Sequence, residues 1–286
     1  TAKCVKALMS ASDDDHALRG ELDAPRPLPH LAIPATAGTG SEATALGVIY
    51  VGRVKHSVEH ASLLPDAVIL DPTLLKTLPE YHKKSCALDA LCQGIESYWA
   101  RKADEDSQVD AFLAFTGVLD NLTTYLAGDA KAAEAVQYAA YCSGRAICVT
   151  RTTAAHAMAY KLTTDLGVAH GHACMLTLPA IWEAMLDNED VLPVLMDLAQ
   201  KMRLGSEYLV PKLLWGILYE LDMPFPDLPD DKTLDELAAA VNVSRLHNNP
   251  MPFTTEQLRE IYRKALTPKC EAEKQACLDI WRYWGK

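Results

Sequence analysis

Near residue 75 the hydrophobic pattern of the chain changes period, which limits the fold to an α/β segment followed by a long helical one. Before that point short apolar runs alternate with glycine and proline. His30 to Pro34, Ala45 to Val51 and Ala67 to Leu70 read as strands of a largely buried sheet. They follow a short helix over residues 1–10, an acidic loop at 12–16 and a Pro-rich connector at 24–29. Beyond residue 75, segments 80–103, 106–127, 129–150 and 174–188 carry apolar positions three and four apart, as helices do. Further helices are expected at 191–203, 207–221, 232–241, 255–266 and 270–282, parted by Pro-rich breaks such as 222–230. The expected fold is therefore a small α/β domain over 1–75 and an all-helical domain over 76–286, the whole mostly helical.

Composition narrows the partners. With 286 residues and 49% hydrophobic side chains the chain can bury a core. A formal net charge of -11 disfavours nucleic acid or an anionic membrane face, since both require clustered Lys and Arg. No apolar run approaches the ~20 residues that a bilayer demands. Eight cysteines without a CxxC pair read as reduced thiols of a cytoplasmic protein. The chain opens at Thr1 without methionine, and a missing upstream segment is expected.

Three groups of residues suggest chemistry. Pro34-Ala-Thr-Ala-Gly-Thr-Gly-Ser-Glu42 follows an expected strand and could offer backbone N–H groups and hydroxyls to a phosphate or ribose, although such a turn is also an ordinary connection. Asp89 and Gln93, four apart in a helical pattern, share one face among apolar neighbours, either as a hydrogen-bonded pair or as part of a site. His156 and His170 would lie about 21 Å apart on one straight helix. Asp165-Leu-Gly167 can end that helix, however, and His170-Gly171 can start the next, so both imidazoles could converge on one ligand with a carboxylate.

Taken together and in order, Ile33-Pro-Ala-Thr-Ala-Gly-Thr-Gly-Ser-Glu42, Asp71-Pro72, Leu78-Pro79, Asp89-Ala-Leu with Ile95-Glu96, His156, His170-Gly171 and Leu178-Pro179 resemble the iron-containing, group III alcohol dehydrogenases. The resemblance spans nearly the whole chain. It implies a dinucleotide-binding α/β domain, here a remnant without its first half, before an all-α domain of the dehydroquinate synthase-like, iron-dependent alcohol dehydrogenase fold. A divalent metal would be held by Asp89, Gln93, His156 and His170. Where the family usually has histidine this chain has Gln93, and Tyr160 stands where another histidine is common. Gln93, Tyr160 and His170-Gly-His172, with Arg145-Ala-Ile147, Thr152-Thr-Ala154 and Asn248-Asn-Pro250, resemble the phosphonoacetaldehyde reductases within that family.

The activity so implied is NAD(P)H-dependent reduction of a small aldehyde to its alcohol, with phosphonoacetaldehyde the favoured substrate. By the same match Thr36, Thr39 and Ser41 would contact the nucleotide, Lys55 would approach the nicotinamide ribose, and Tyr160 or His172 would relay a proton. Arg145 and Arg151, in a stretch free of carboxylates from Ala135 to Ala155, could grip a phosphonate or pair with acids elsewhere. Two histidines, a carboxylate and an amide oxygen suit Fe(II), with Zn(II) the alternative; the choice between NAD and NADP stays open. A homodimer is the default assembly. The competing expectations are a general alcohol dehydrogenase of small alcohols and aldehydes, and an inactive fragment lacking its cofactor half.

Overall fold

Helix α1 (Ala2–Leu8) and α2 (Asp14–Arg19) open the chain. The acidic stretch read as a loop is thus a helix start: Asp13 accepts from the His16 N–H, Asp14 and Asp15 sit in the positive first turn, and Gly20 closes it in the left-handed region at φ 73°. The structure is a computed structural model describing residues 2–22, 29–51, 54–241 and 246–285. Strands β1 (Leu31–Ala32) and β4 (Ala67–Val68) pair in parallel, Leu31 opposite Ala67. Strands β2 (Leu46–Val51) and β3 (Val54–Glu59) form an antiparallel hairpin with Leu46 opposite Glu59. Strand β3 was not foreseen: among its described side chains, those of residues 56–59, only Val58 is fully buried, against Ala7 and Leu63.

From Glu80 onward every described regular element is a helix: α3 (Glu80–Trp99), α4 (Glu105–Leu126), α5 (Ala130–Thr150), α6 (Ala154–Leu166), α7 (His170–Met185), α8 (Leu192–Lys201), α9 (Val210–Glu220), α10 (Asp231–Ala239), α11 (Thr255–Leu266) and α12 (Glu271–Trp284). Asp104 and Asp129 start α4 and α5 by accepting the orphan N–H groups of Ser107 and Ala132. Helix α3 is buried on all sides from Ala87 to Trp99, packed by α4, α5 and α7. Any polar group in that stretch therefore needs an internal partner. None of the described helices is long and apolar enough to cross a membrane.

The glycine segment meets the helices through a backbone contact. A Cβ on Gly40 (φ 55°) would lie 2.4 Å from Gly144 Cα of α5, so both positions need glycine. Lys3 of α1 fastens the same segment, its Nζ donating to the carbonyls of Ser41, Thr44 and Leu46.

Candidate metal centre

Three helices converge on one point. Asp89 and Gln93 come from α3, His156 from α6, and His170 and Cys174 from α7. The expected bend exists: Gly167 caps α6 in the left-handed conformation at φ 70°, and α7 begins three residues later. The rings of His156 and His170 consequently meet edge to face, with centroids 5.3 Å apart. One donor atom each from Asp89, His156, His170 and Cys174 all lie within 4.8 Å of one another. That spacing fits a single divalent cation drawing in its ligands, and the carboxylate, imidazole and thiol donors suit Zn(II) or Fe(II).

The close approach of α7 to α3 depends on Gly171. A Cβ there would lie 2.0 Å from the Ser85 carbonyl oxygen and 2.6 Å from Asp89 Cβ. The His172 N–H completes the contact by donating to Ser85 Oγ at 3.1 Å.

Sequence reasoning noted Glu96 in the motif but gave it no role. The structure does. Helix α6 has no capping side chain of its own at Thr153, and the buried Glu96 carboxylate from α3 takes that place. Its Oε1 accepts from Thr153 N at 3.1 Å, Thr153 Oγ1 at 2.7 Å and Ala155 N at 2.8 Å, and its Oε2 pairs with His156 Nδ1. A negative charge at a helix N-terminus is favoured by the dipole as well as by these bonds. With Nδ1 engaged, His156 turns Nε2 towards Asp89 Oδ1, 3.2 Å away.

Burial pushes the Asp89 carboxyl up, but the hydrogen bond with His156, the charges of His170 and His156 and a bond from Gln93 outweigh it and hold it below the ordinary range. Asp89 is thereby kept as a carboxylate, the form that binds cations. Gln93 is likewise buried, and its Oε1 accepts from Ser143 Oγ at 2.8 Å.

A cavity of about 660 Å³ joins this centre to the glycine segment: Thr36, Thr39 and Ser41 line it together with Asp89, Gln93, His156 and His170. Seven of the residues singled out from the sequence thus face one space. The other described ones do not line it. The Lys55 side chain lies outside the described residues. Tyr160 and His172 do not line the cavity; His172 Nδ1 meets the Tyr81 hydroxyl at 3.0 Å, and burial lowers its pKa to about 4. Such an imidazole is neutral near pH 7.

The two arginines separate. Arg145 is exposed and pairs with Asp110 at 3.0 Å, lining neither cavity. Arg151 lines a second cavity of about 510 Å³ with Arg101, Lys102, Thr152 and His247, and also pairs with Glu59. Leu46, Ile147 and Thr152 line both cavities, so the two spaces adjoin. Arg101 and Lys102 were missed because nothing local distinguishes two cations at a helix end from solvated ones.

Family profiles match most of this chain: "Iron-containing alcohol dehydrogenase" over residues 1–72 and "Fe-containing alcohol dehydrogenase family, C-terminal" over 84–212. The chain belongs to the iron-containing alcohol dehydrogenase family. Among relatives of this dehydrogenase-family chain, phosphonoacetaldehyde reductase of Streptomyces viridochromogenes is 40% identical over 161 residues, 54% of this chain. The match spans only 40% of that reductase's length. An alcohol dehydrogenase of Thermococcus barophilus is 28% identical over 278 residues, covering 92% of this chain and 73% of the relative. The iron-containing alcohol dehydrogenase of Thermotoga maritima superposes with a TM-score of 0.80 at 29% identity, over 93% of this chain and 71% of that one. The helical fold with its small α/β part is therefore that of the family.

Proposed function

We propose that this family member is a metal-dependent oxidoreductase that reduces a small aldehyde with NAD(P)H, and that its substrate is phosphonoacetaldehyde, reduced to 2-hydroxyethylphosphonate. The observation carrying the reading is the shared cavity, which is lined both by Asp89, His156 and His170 and by Thr36, Thr39 and Ser41. Once bound, the cation supplies Lewis acidity towards a carbonyl oxygen, and the nicotinamide supplies hydride. Asp89, His156 and His170 hold the cation, Glu96 keeps the His156 ring in register, and the threonines and serine receive the nucleotide beside them. The division into a nucleotide-binding part over 1–75 and a metal-binding part over 76–286 belongs to the same reading, as does the choice of iron, with zinc as the alternative.

The phosphonate is supported by Arg151 in the adjoining cavity and by similarity to the Streptomyces reductase. Its guanidinium can bind an oxyanion through two parallel N–H donors. The pairing of Arg151 with Glu59 favours a second reading, in which the arginine is structural and the substrate an uncharged aldehyde.

Two measurements decide. Incubation of the whole protein with a strong chelator should abolish NADH or NADPH oxidation by aldehydes, and added Fe(II) or Zn(II) should restore it; activity that survives metal removal refutes the metal-dependent reading. Arg151→Ala should raise KM for phosphonoacetaldehyde about ten- to a hundred-fold, the worth of a charge-assisted hydrogen bond, and leave KM for propanal nearly unchanged. Equal changes in both would support the uncharged-substrate reading instead.

A further inference from the structure

We propose that Cys174, not Gln93, supplies the fourth donor to the cation, giving a site of one carboxylate, two imidazoles and one thiolate. This rests on the metal-site reading above and goes further by naming a ligand outside the expected set.

The present partner of Gln93 is the first ground. Its Oε1 lies 2.8 Å from Ser143 Oγ, and ligating the cation would draw it out of that buried contact. A neutral amide oxygen is also a weaker ligand for Zn(II) or Fe(II) than a thiolate.

Cys174 needs no such rearrangement. It lies four residues after His170 on α7, the spacing that stacks two side chains on one helix face. Its Sγ is 3.9 Å from His170 Nε2 and belongs to the set of donor atoms within 4.8 Å of one another. It is fully buried, so water does not compete for it. On binding, the thiol proton leaves to solvent as the S–metal bond forms, and no electron is transferred. Gln93 then keeps its contact with Ser143 Oγ. A thiolate also shifts the preference of the site towards zinc, which combines sulfur, nitrogen and oxygen donors and can expand to five ligands when substrate enters.

The test is cobalt substitution of the whole protein. After metal removal, Co(II) should give an intense near-ultraviolet thiolate-to-cobalt charge-transfer band in the wild type and in Gln93→Ala, and none in Cys174→Ser. In chelator competition Cys174→Ser should lose zinc affinity about ten- to a hundred-fold, and Gln93→Ala clearly less. X-ray absorption of the zinc-loaded wild type, which requires no variant to fold, should show one sulfur at about 2.3 Å. The proposal is overturned if bound cobalt shows no charge-transfer band, if the band persists in Cys174→Ser, if zinc has no sulfur neighbour, or if Gln93→Ala is the variant that loses metal. A wild type that binds no cobalt or zinc overturns the metal-site reading as well.

Discussion

Glu96→Gln is expected to weaken metal binding about ten- to a hundred-fold while the helices stay folded. The reason is the direction of each hydrogen bond. Glu96 accepts on both oxygens, from the N-terminus of α6 on one and from His156 Nδ1 on the other. An amide has only one accepting atom. If its oxygen serves α6, its –NH₂ meets His156 Nδ1 and drives the ring proton to Nε2, the nitrogen facing Asp89, where an N–H excludes a cation. If it turns over, donors meet donors at the start of α6. Glu96→Ala removes every acceptor and should also destabilise the fold by about 3–5 kcal/mol, the cost of stranding one partner of a buried pair. Chelator competition and thermal unfolding of the metal-free variants separate the two effects; unchanged metal affinity in Glu96→Gln would remove Glu96 from the site.

The second large effect is expected at Gly171. A methyl group there has no room, since 2.0 Å to the Ser85 carbonyl oxygen is far inside contact distance and the obstacle is backbone. Gly171→Ala must push α7 away from α3, at about 3 kcal/mol for overpacking a core and a fall in Tm of about 6–12 °C for a chain of this size. His170 and Cys174 ride on α7, so metal affinity should fall with stability. Calorimetry and metal titration on the variant check both, and a Tm within about 2 °C of wild type would contradict the close packing.

Much of this was legible in the chain itself, and what was not has identifiable causes. The helical period beyond residue 75, the glycine segment and the Gly167 bend are local signals, and each corresponds to an observed element. Asp89, His156 and His170 came from motif order, and the bend explains why histidines fourteen apart can meet. Cys174 was invisible because a buried cysteine in an apolar helix looks the same whether it packs or ligates. Glu96 was passed over because its partners lie 57 to 60 residues away. Lys3 carries no local signal of its role, and only tertiary packing turns it onto the carbonyls of the glycine segment. Arg145 and Arg151 part because α5 ends at Thr150: Arg145 lies on the helix and pairs with Asp110, whereas Arg151 caps it at φ 64° and lines a cavity.

Arg151 occupies a backbone conformation, φ 64° and ψ 178°, that belongs almost solely to glycine. Holding an arginine there costs on the order of 1–3 kcal/mol, and glycine would relieve it. A lineage pressed only for heat resistance would have a ready substitution at this position, with the guanidinium as its forfeit. The conformation thus sets the ease of the backbone against the presence of a guanidinium in a single residue.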